Sequence, residues 1–467
     1  ITRSIFVEGQ QCNAIKLLVT DSTATPTKDD IINTGLSQDG TSTTFDVPDL
    51  IEDTSYNAHA LCLLKGNEFK LDTSFSTSVN SKGPANAYTV DYDGTHIITG
   101  KDASGTASIY KYFNNSWNRY QIYLAGPALK MQNNYIIALT NTHINIHKWS
   151  DTTNTVTDIS SIPLSLTGGT VTASSFDKLS FKKNRFAVTR RVMSSSQYYV
   201  VLSVYEINTI DDTIRSITPP VDWGFSPTFN PSDNNSITIY TAFGASASSI
   251  GSSFRGYLSI DQDYLAVCIN ATFHHIGRLI IFKYDETEKR FKTSYRGNTS
   301  VINNSKAGYG RSLALDNLTL ATTYKNGTTY YGNEEETLVI YQLDGDGVYQ
   351  THEIKNINNN GQWGETRVGG SGAISIYNNF LAVALQAYGT GSRVIRIYKK
   401  QTEEYNSWSH YQDIEYPEDY TGAYNIAQNI FINNNKLVVY DAYPTATVMA
   451  AGPPFEMGIF KIYQIQP

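Results

Sequence analysis

The sequence predicts an all-β protein: a small β-sandwich followed by a seven-bladed β-propeller. Three observations predict it. The chain holds 33 Tyr, 33 Gly and 38 Asn, and no stretch is dominated by Ala, Leu and Glu. Tyr, Thr, Val and Ile suit half-buried pleated surfaces, while Asn and Gly suit tight turns. From about residue 85 to the end a two-part unit recurs seven times. Residues 10–80 carry a different spacing of strand-like segments.

Bulk composition narrows the function. Of 467 residues, 40% are hydrophobic and 17% charged, too apolar for a disordered chain. Lys and Arg number 36 against 43 acids, for a net charge of -7 and no basic cluster. Nucleic acid is not an expected partner. No apolar run approaches the ~18 residues of a spanning helix, so no membrane span is expected. The chain begins Ile1-Thr-Arg-Ser with neither a start Met nor a signal peptide, and reads as a mature or truncated product.

The first part of the repeat is a pair of short strands around a polar turn. Its copies start at Val90-Asp-Tyr-Asp-Gly94, Leu129-Lys-Met-Gln-Asn133, Leu179-Ser-Phe-Lys-Lys-Asn184, Leu258-Ser-Ile-Asp-Gln-Asp263, Leu313-Ala-Leu-Asp-Asn317, Ile374-Ser-Ile-Tyr-Asn-Asn379 and Ile430-Phe-Ile-Asn-Asn-Asn435. Apolar residues two apart, a turn, then an apolar run such as Ile136-Ile-Ala describe a hairpin with a buried second strand. The second part ends in an aliphatic–aromatic pair: Ile109-Tyr110, Ile146-His147, Val204-Tyr205, Ile281-Phe282, Ile340-Tyr341, Ile397-Tyr398 and Ile462-Tyr463. Three or four strands repeated seven times describe blades closing radially. An array of β-sandwiches would need a longer period than the one observed.

With Gly308-Tyr-Gly310-Arg-Ser before a first strand, the hairpin and the later Ile-Tyr strand, the repeat resembles the FG-GAP-like blades of integrin-α-type propellers. That family's calcium loop, Asp-x-Asp-x-Asp-Gly, is absent. Asp91-x-Asp93-Gly94 and Asp344-Gly-Asp346-Gly347 offer two carboxylates each, where calcium takes six to eight oxygens. They read as plain turns, and no metal or cofactor is expected.

Strand-like segments in residues 10–80 are Ala14–Thr20, Thr43–Val47, Thr54–Cys62 and Ser74–Thr77. Leu50 followed by Thr54-x-Tyr56 matches the spacing of a tyrosine corner, and the segment resembles a fibronectin type III module. Cys12 and Cys62 fall within it and form a candidate disulfide, which would help so small a module. Cys268 lies in an apolar strand and reads as a buried small hydrophobe. Asn80-Ser-Lys-Gly-Pro84 is the expected linker. Residues 1–9 form a β-prone arm, or strand A of the module. Ile5, Phe6 and Val7 are the candidate contacts of an arm reaching a second subunit. The seventh blade shows only three strands by sequence, so its fourth comes from ahead of blade one, from another molecule, or not at all.

Catalytic patterns are lacking. HExxH, GxxxxGK[ST], GxGxxG after a strand and CxxC do not occur. Gly369-Gly-Ser371-Gly-Ala373 falls one residue short of a nucleophile elbow and leads into a strand rather than a helix. His143 and His147 would lie about 13 Å apart along one strand, too far for one ion. His274-His275 and Glu334-Glu-Glu336 read as surface loops. Seven Asn-x-Ser/Thr sequons occur, at Asn114, Asn234, Asn270, Asn298, Asn303, Asn317 and Asn326, each a candidate N-glycan in a secreted chain.

The expectation is a non-enzymatic, glycosylated extracellular or cell-surface subunit that self-assembles head-to-tail into a filament, appendage or coat. Its partners are copies of itself and N-linked glycans. The alternatives are an adhesin binding surface glycans or proteins and, less favoured, a glycan-active enzyme at the channel mouth.

Overall fold

The computed structural model describes residues 3–8, 12–20, 36–39, 42–47, 56–64, 69–78, 90–100, 106–114, 116–124, 128–140, 142–164, 170–171, 178–194, 197–220, 236–241, 254–271, 276–298, 309–326, 335–343, 349–354, 366–368, 374–387, 393–401, 407–415, 429–433, 436–444 and 456–465. The chain divides into two compact units, Ile1–Lys70 with Ile465–Pro467, and Leu71–Gln464.

Two small antiparallel sheets make up the first unit. Strands β1 (Arg3–Glu8), β2 (Cys12–Thr20), β3 (Leu36–Asp39), β4 (Ser42–Val47) and β5 (Asn57–Leu64) are ordered β1–β4 and β3–β2–β5. Leu17 and Val47 are buried. The β-prone N-terminus is a strand within its own chain: Ile5 lies opposite Phe45, Phe6 opposite Thr44 and Val7 opposite Thr43. The register sets Cys12 opposite Leu64 and Cys62 opposite Ile15, so the two cysteines lie on adjacent strands but not directly across from each other.

Strand β6 (Phe69–Ser78) departs from the sequence reading. Ser74–Thr77 was expected to close the N-terminal module, yet β6 pairs into the last propeller sheet. The unit boundary accordingly falls at residue 70, ahead of the expected linker; Asn80–Pro84 itself lies outside the described residues. The reason is geometric. A blade built from segments at both ends of the ring pins its first and last blades together.

Seven sheets form the ring. The first four are β7 (Val90–Tyr92), β8 (His96–Thr99), β9 (Thr106–Phe113) and β10 (Ser116–Tyr123); β11 (Ala128–Gln132), β12 (Tyr135–Leu139), β13 (His143–Ser150) and β14 (Thr155–Pro163); β15 (Thr170–Val171), β16 (Lys178–Lys182), β17 (Arg185–Ser194), β18 (Gln197–Ile207), β19 (Ile214–Ser216) and β20 (Ile237–Thr241); and β21 (Phe254–Ile260), β22 (Tyr264–Ala271), β23 (Ile276–Asp285) and β24 (Arg290–Asn298). The last three are β25 (Tyr309–Asp316), β26 (Thr319–Asn326), β27 (Glu335–Leu343) and β28 (Tyr349–Ile354); β29 (Thr366–Val368), β30 (Ile374–Tyr377), β31 (Phe380–Ala387), β32 (Arg393–Lys400) and β33 (Trp408–Glu415); and β34 (Asn429–Asn433), β35 (Lys436–Pro444) and β36 (Glu456–Ile465) with β6 outermost. The innermost strands β7, β11, β16, β21, β25, β30 and β34 touch in turn, and β34 returns to β7. The protein is a closed seven-bladed β-propeller.

The hairpins follow from their turn residues. Gln132 and Tyr135 pair across Asn133 and Asn134, which take φ of 50° and 67°. Two positive φ values in a two-residue loop suit the twist of the flanking strands, and Asn tolerates them. Lys183, Asn317 and Asn378 hold positive φ in the equivalent turns of other blades, and Asn114 in the outer β9–β10 turn of blade one. The aliphatic–aromatic pair marks a backbone irregularity: the register shifts between Ile146 and His147, between Ile281 and Phe282, and between Ile397 and Tyr398. A bulge there steepens the twist toward the outer strand.

The core is radial. Blades one and two share Ile109, Ile136 and Trp149; two and three share Ile137, Ile146 and Phe186; three and four share Leu202, Val267 and Phe282. Four and five share Cys268, Leu320 and Tyr341, and seven and one share Phe460, Val438 and Tyr110. Cys268 is thus the buried hydrophobe that its strand suggested, its thiol pushed up to about 12 by burial.

Candidate functional site

Each innermost strand turns one edge to the channel, and its N–H groups need acceptors. The preceding blade supplies them. The N–H of Ile260 donates to Ser180 Oγ (3.1 Å), Leu315 N–H to Ser259 Oγ (3.0 Å), and Ile432 N–H to Ser375 Oγ (2.9 Å). Each serine is the middle residue of the apolar-x-apolar triplet that opens the repeat. In blade five Ala314 fills that slot, and Ser312 accepts from Ile374 N–H (3.2 Å) instead. In blade one the slot holds Asp91, whose carboxylate accepts from Met131 N–H (2.9 Å) and Lys130 Nζ (2.8 Å). Burial raises the Asp91 pKa above the ordinary carboxylate value, with Lys130 opposing it.

A second polar layer lies at the hairpin-turn end of the channel. Asp316 accepts from Asn378 N–H (2.7 Å), and Asp261 from Asn317 N–H. Lys182 of blade three ion-pairs with Asp316 of blade five, passing 4.0 Å from Asp261 of blade four. Lys183 Nζ lies 3.8 Å from Asp261 and donates to Gln262 Oε1 (2.9 Å). These charges tie blades three to six together.

Blades one and two are joined by a third cluster. His96, buried at the start of β8, has Nδ1 3.3 Å from Asp93 Oδ2 and Nε2 2.9 Å from Asp151 Oδ1. Asp151 also binds Lys111 Nζ (2.7 Å) and accepts from Trp149 Nε1 (3.1 Å). Burial pushes the imidazole pKa down, but the bonds and charges of Asp93 and Asp151 more than offset it and raise it above its ordinary value. Burial likewise opposes ionisation of Asp151, yet Lys111, His96 and Trp149 hold it at about 2.

The arrangement binds blades to one another, and the Thr95 hydroxyl lies 2.8 Å from His96 Nδ1 while donating to Asp93 Oδ1 (2.9 Å). Asp91 and Asp93, two apart in the turn, do separate work: Asp93 accepts from the N–H groups of Thr95 (2.8 Å) and His96 (2.7 Å), and Asp91 reaches blade two. Among the described residues no group of three or more His, Cys, Asp or Glu could hold a metal ion. His147, in the aromatic slot, pairs with Asp158 (2.7 Å), and His143 contacts Thr142. Asp344-Gly-Asp346, Gly369–Ala373, His274-His275 and Glu334 lie outside the described residues, while Glu335 and Glu336 open β27 opposite Asn326 and Lys325, a paired strand and not the expected loop.

The sequons are distributed over the ring. Asn114 and Asn317 are exposed in hairpin turns. Asn270, Asn298 and Asn326 lie in β22, β24 and β26, toward the strand ends away from those turns. Asn234 and Asn303 lie outside the described residues.

Fold and site together define a closed β-propeller whose described polar side chains chiefly staple blade to blade. No family profile matches the chain, and no curated protein does. Among solved structures it is similar to the polysaccharide lyase Uly1, at 7% identity over 85% of this chain and 100% of that one, with a TM-score of 0.43. It is also similar to the β-propeller domain of Nup133 from Vanderwaltozyma polyspora, at 10% identity over 85% and 100%, TM-score 0.35. A third is the GH93 α-L-arabinofuranosidase of Fusarium graminearum, at 12% identity over 84% and 98%, TM-score 0.36. Some of these propellers act on glycans, but at such identities no activity passes to this chain. The seven-bladed assignment rests on the sheet order.

Proposed function

We propose that the chain is a non-enzymatic, N-glycosylated extracellular subunit that assembles with copies of itself into a cell-surface filament, appendage or coat. The observation that carries this reading is the β1–β4 ribbon. A two-stranded sheet is marginal in water, and among the described residues neither strand has a second sheet partner. Both leave edge groups on which a strand of another copy can pair. The propeller completes its last blade with its own β6, so that blade needs no strand from another copy. A contact between unlike surfaces that does not close on itself makes a filament.

In the same reading the propeller is of FG-GAP type without the calcium loop, on Gly308-Tyr-Gly310 and the repeat. The N-terminal unit is fibronectin type III-like, on Leu50 and Thr54-x-Tyr56, and is stapled by Cys12 and Cys62. Electron microscopy of the protein from its native source, prepared without a denaturing step, tests the assembly. Regular filaments with glycan density at sequons are expected. Dispersed single propellers would overturn the reading and point to ligand screens for a glycan-binding or glycan-cleaving propeller.

A further inference from the structure

We infer that Asn114 carries an N-linked glycan whose first sugar packs on the ring of Phe113, locking the β9–β10 hairpin of blade one. The inference rests on the extracellular reading above and deepens it at one site. Phe113 and Ser116 pair across a two-residue loop, and Asn114, first in that loop, has φ of 52°. Asn tolerates that positive φ in a hairpin turn. The pairing puts the Phe113 side chain at the residue before the acceptor and the sequon hydroxyl of Ser116 directly across the hairpin from Phe113.

Two further observations single out this sequon. Phe113 is 56% exposed, and among the described residues it stacks on no other ring. Its neighbour Tyr112 is engaged, packed at a 54° tilt on Trp117 at 5.5 Å with Lys436 Nζ 5.0 Å from its ring centre. The hairpin tip is also preset. Asn118 Nδ2 donates to the carbonyls of Phe113 (3.1 Å) and Ser116 (3.2 Å), and Ser116 Oγ donates to Phe113 O (3.2 Å).

The other sequon in a described hairpin turn differs at each point. Asn317 is preceded not by an aromatic ring but by Asp316, a buried carboxylate ion-paired with Lys182. The sequon hydroxyl, on Thr319, is buried and lies 3.5 Å from Gln342 Oε1. A sugar presents a face of C–H bonds, and an aromatic face is a better platform for it than an aliphatic chain, because the ring's quadrupole is negative there.

The transfer itself balances with a polyprenyl-diphosphate-linked oligosaccharide as donor. The Asn114 amide nitrogen forms a bond to the anomeric carbon while that carbon's bond to the diphosphate oxygen breaks. The amide gives up one proton, and the lipid diphosphate leaves.

The test is the full chain secreted from a eukaryotic host, with the glycan removed from half of each sample. Glycopeptide mass spectrometry reads occupancy, and hydrogen exchange of residues 106–123 reads local opening. Occupied Asn114 is expected, with exchange in β9–β10 slowed about two- to tenfold by the glycan, the range of one aromatic packing contact. Phe113→Leu should abolish the slowing and Phe113→Trp keep it, with the deglycosylated proteins alike. Glycans at other sequons with Asn114 bare, or a slowing that survives Phe113→Leu, would overturn the inference and leave the extracellular reading intact. No glycan at any sequon would overturn both.

Discussion

His96 is held between two carboxylates on different blades, and its charge state sets how firmly blades one and two are joined. Its pKa is raised above the ordinary 6.5, so its contribution is fully present below that value and lost as pH rises through the folded one. Asp93 and Asp151 are lowered from 3.8. Their contribution is present above 3.8 and lost as pH falls through their folded values. The staple is strongest between about pH 4 and 6.5. His96→Gln should therefore cost about 1–3 kcal/mol near pH 5.5 and less near pH 8.5, read by urea unfolding. Equal cost at both would show that the charge does not matter. The cluster was not legible in the sequence, because Asp151 lies 55 residues from His96 and no local spacing links them. The serine caps had left a trace. Apolar-Ser-apolar recurs at Ser180, Ser259 and Ser375, but the hairpin pattern explains the apolar residues alone and says nothing of the polar one between them.

At the scale of elements, periodicity reported which segments are strands, and partner choice was what it withheld. β12, with Tyr135 to Leu139 all buried, reads directly as a strand between two neighbours. β6 alternates apolar and polar just as clearly, yet alternation is satisfied by any sheet with one wet face. Its placement in blade seven follows from ring closure, which is a property of the whole chain. The same logic gives a test. Proline removes one N–H from a ladder, and successive residues point their N–H groups to opposite sides. One of Thr73→Pro and Ser74→Pro should thus break a bond to β36, at a cost of about 1–3 kcal/mol, and speed hydrogen exchange in β34–β36. The other should be milder. If neither changes exchange in blade seven, β6 does not close the ring in solution.

For the whole molecule, self-assembly must overcome a net charge of -7 on every copy. Repulsion between like-charged subunits is screened by salt, over a Debye length of about 10 Å at 0.1 M. A joint made of backbone hydrogen bonds and of Ile5, Phe6 and Val7 contains little that salt would weaken. Assembly through β1 should therefore strengthen as salt rises, whereas a joint built on ion pairs would loosen. Removing residues 1–8 should leave folded propellers that sediment as monomers at every salt concentration. Excess of a peptide spanning Arg3–Glu8 should cap the growth of the intact chain, since it offers the same strand to β4. Glycans add a geometric condition. Sequons occur at both ends of the blades, at Asn114 and Asn317 in the turns and at Asn270, Asn298 and Asn326 toward the opposite strand ends. Where they are occupied, neither face of the ring can be buried flat against another copy, which leaves the N-terminal unit to carry the joint. If the shortened chain still polymerises, or assembly falls as salt rises, the joint lies elsewhere and β1 is a strand of its own subunit only.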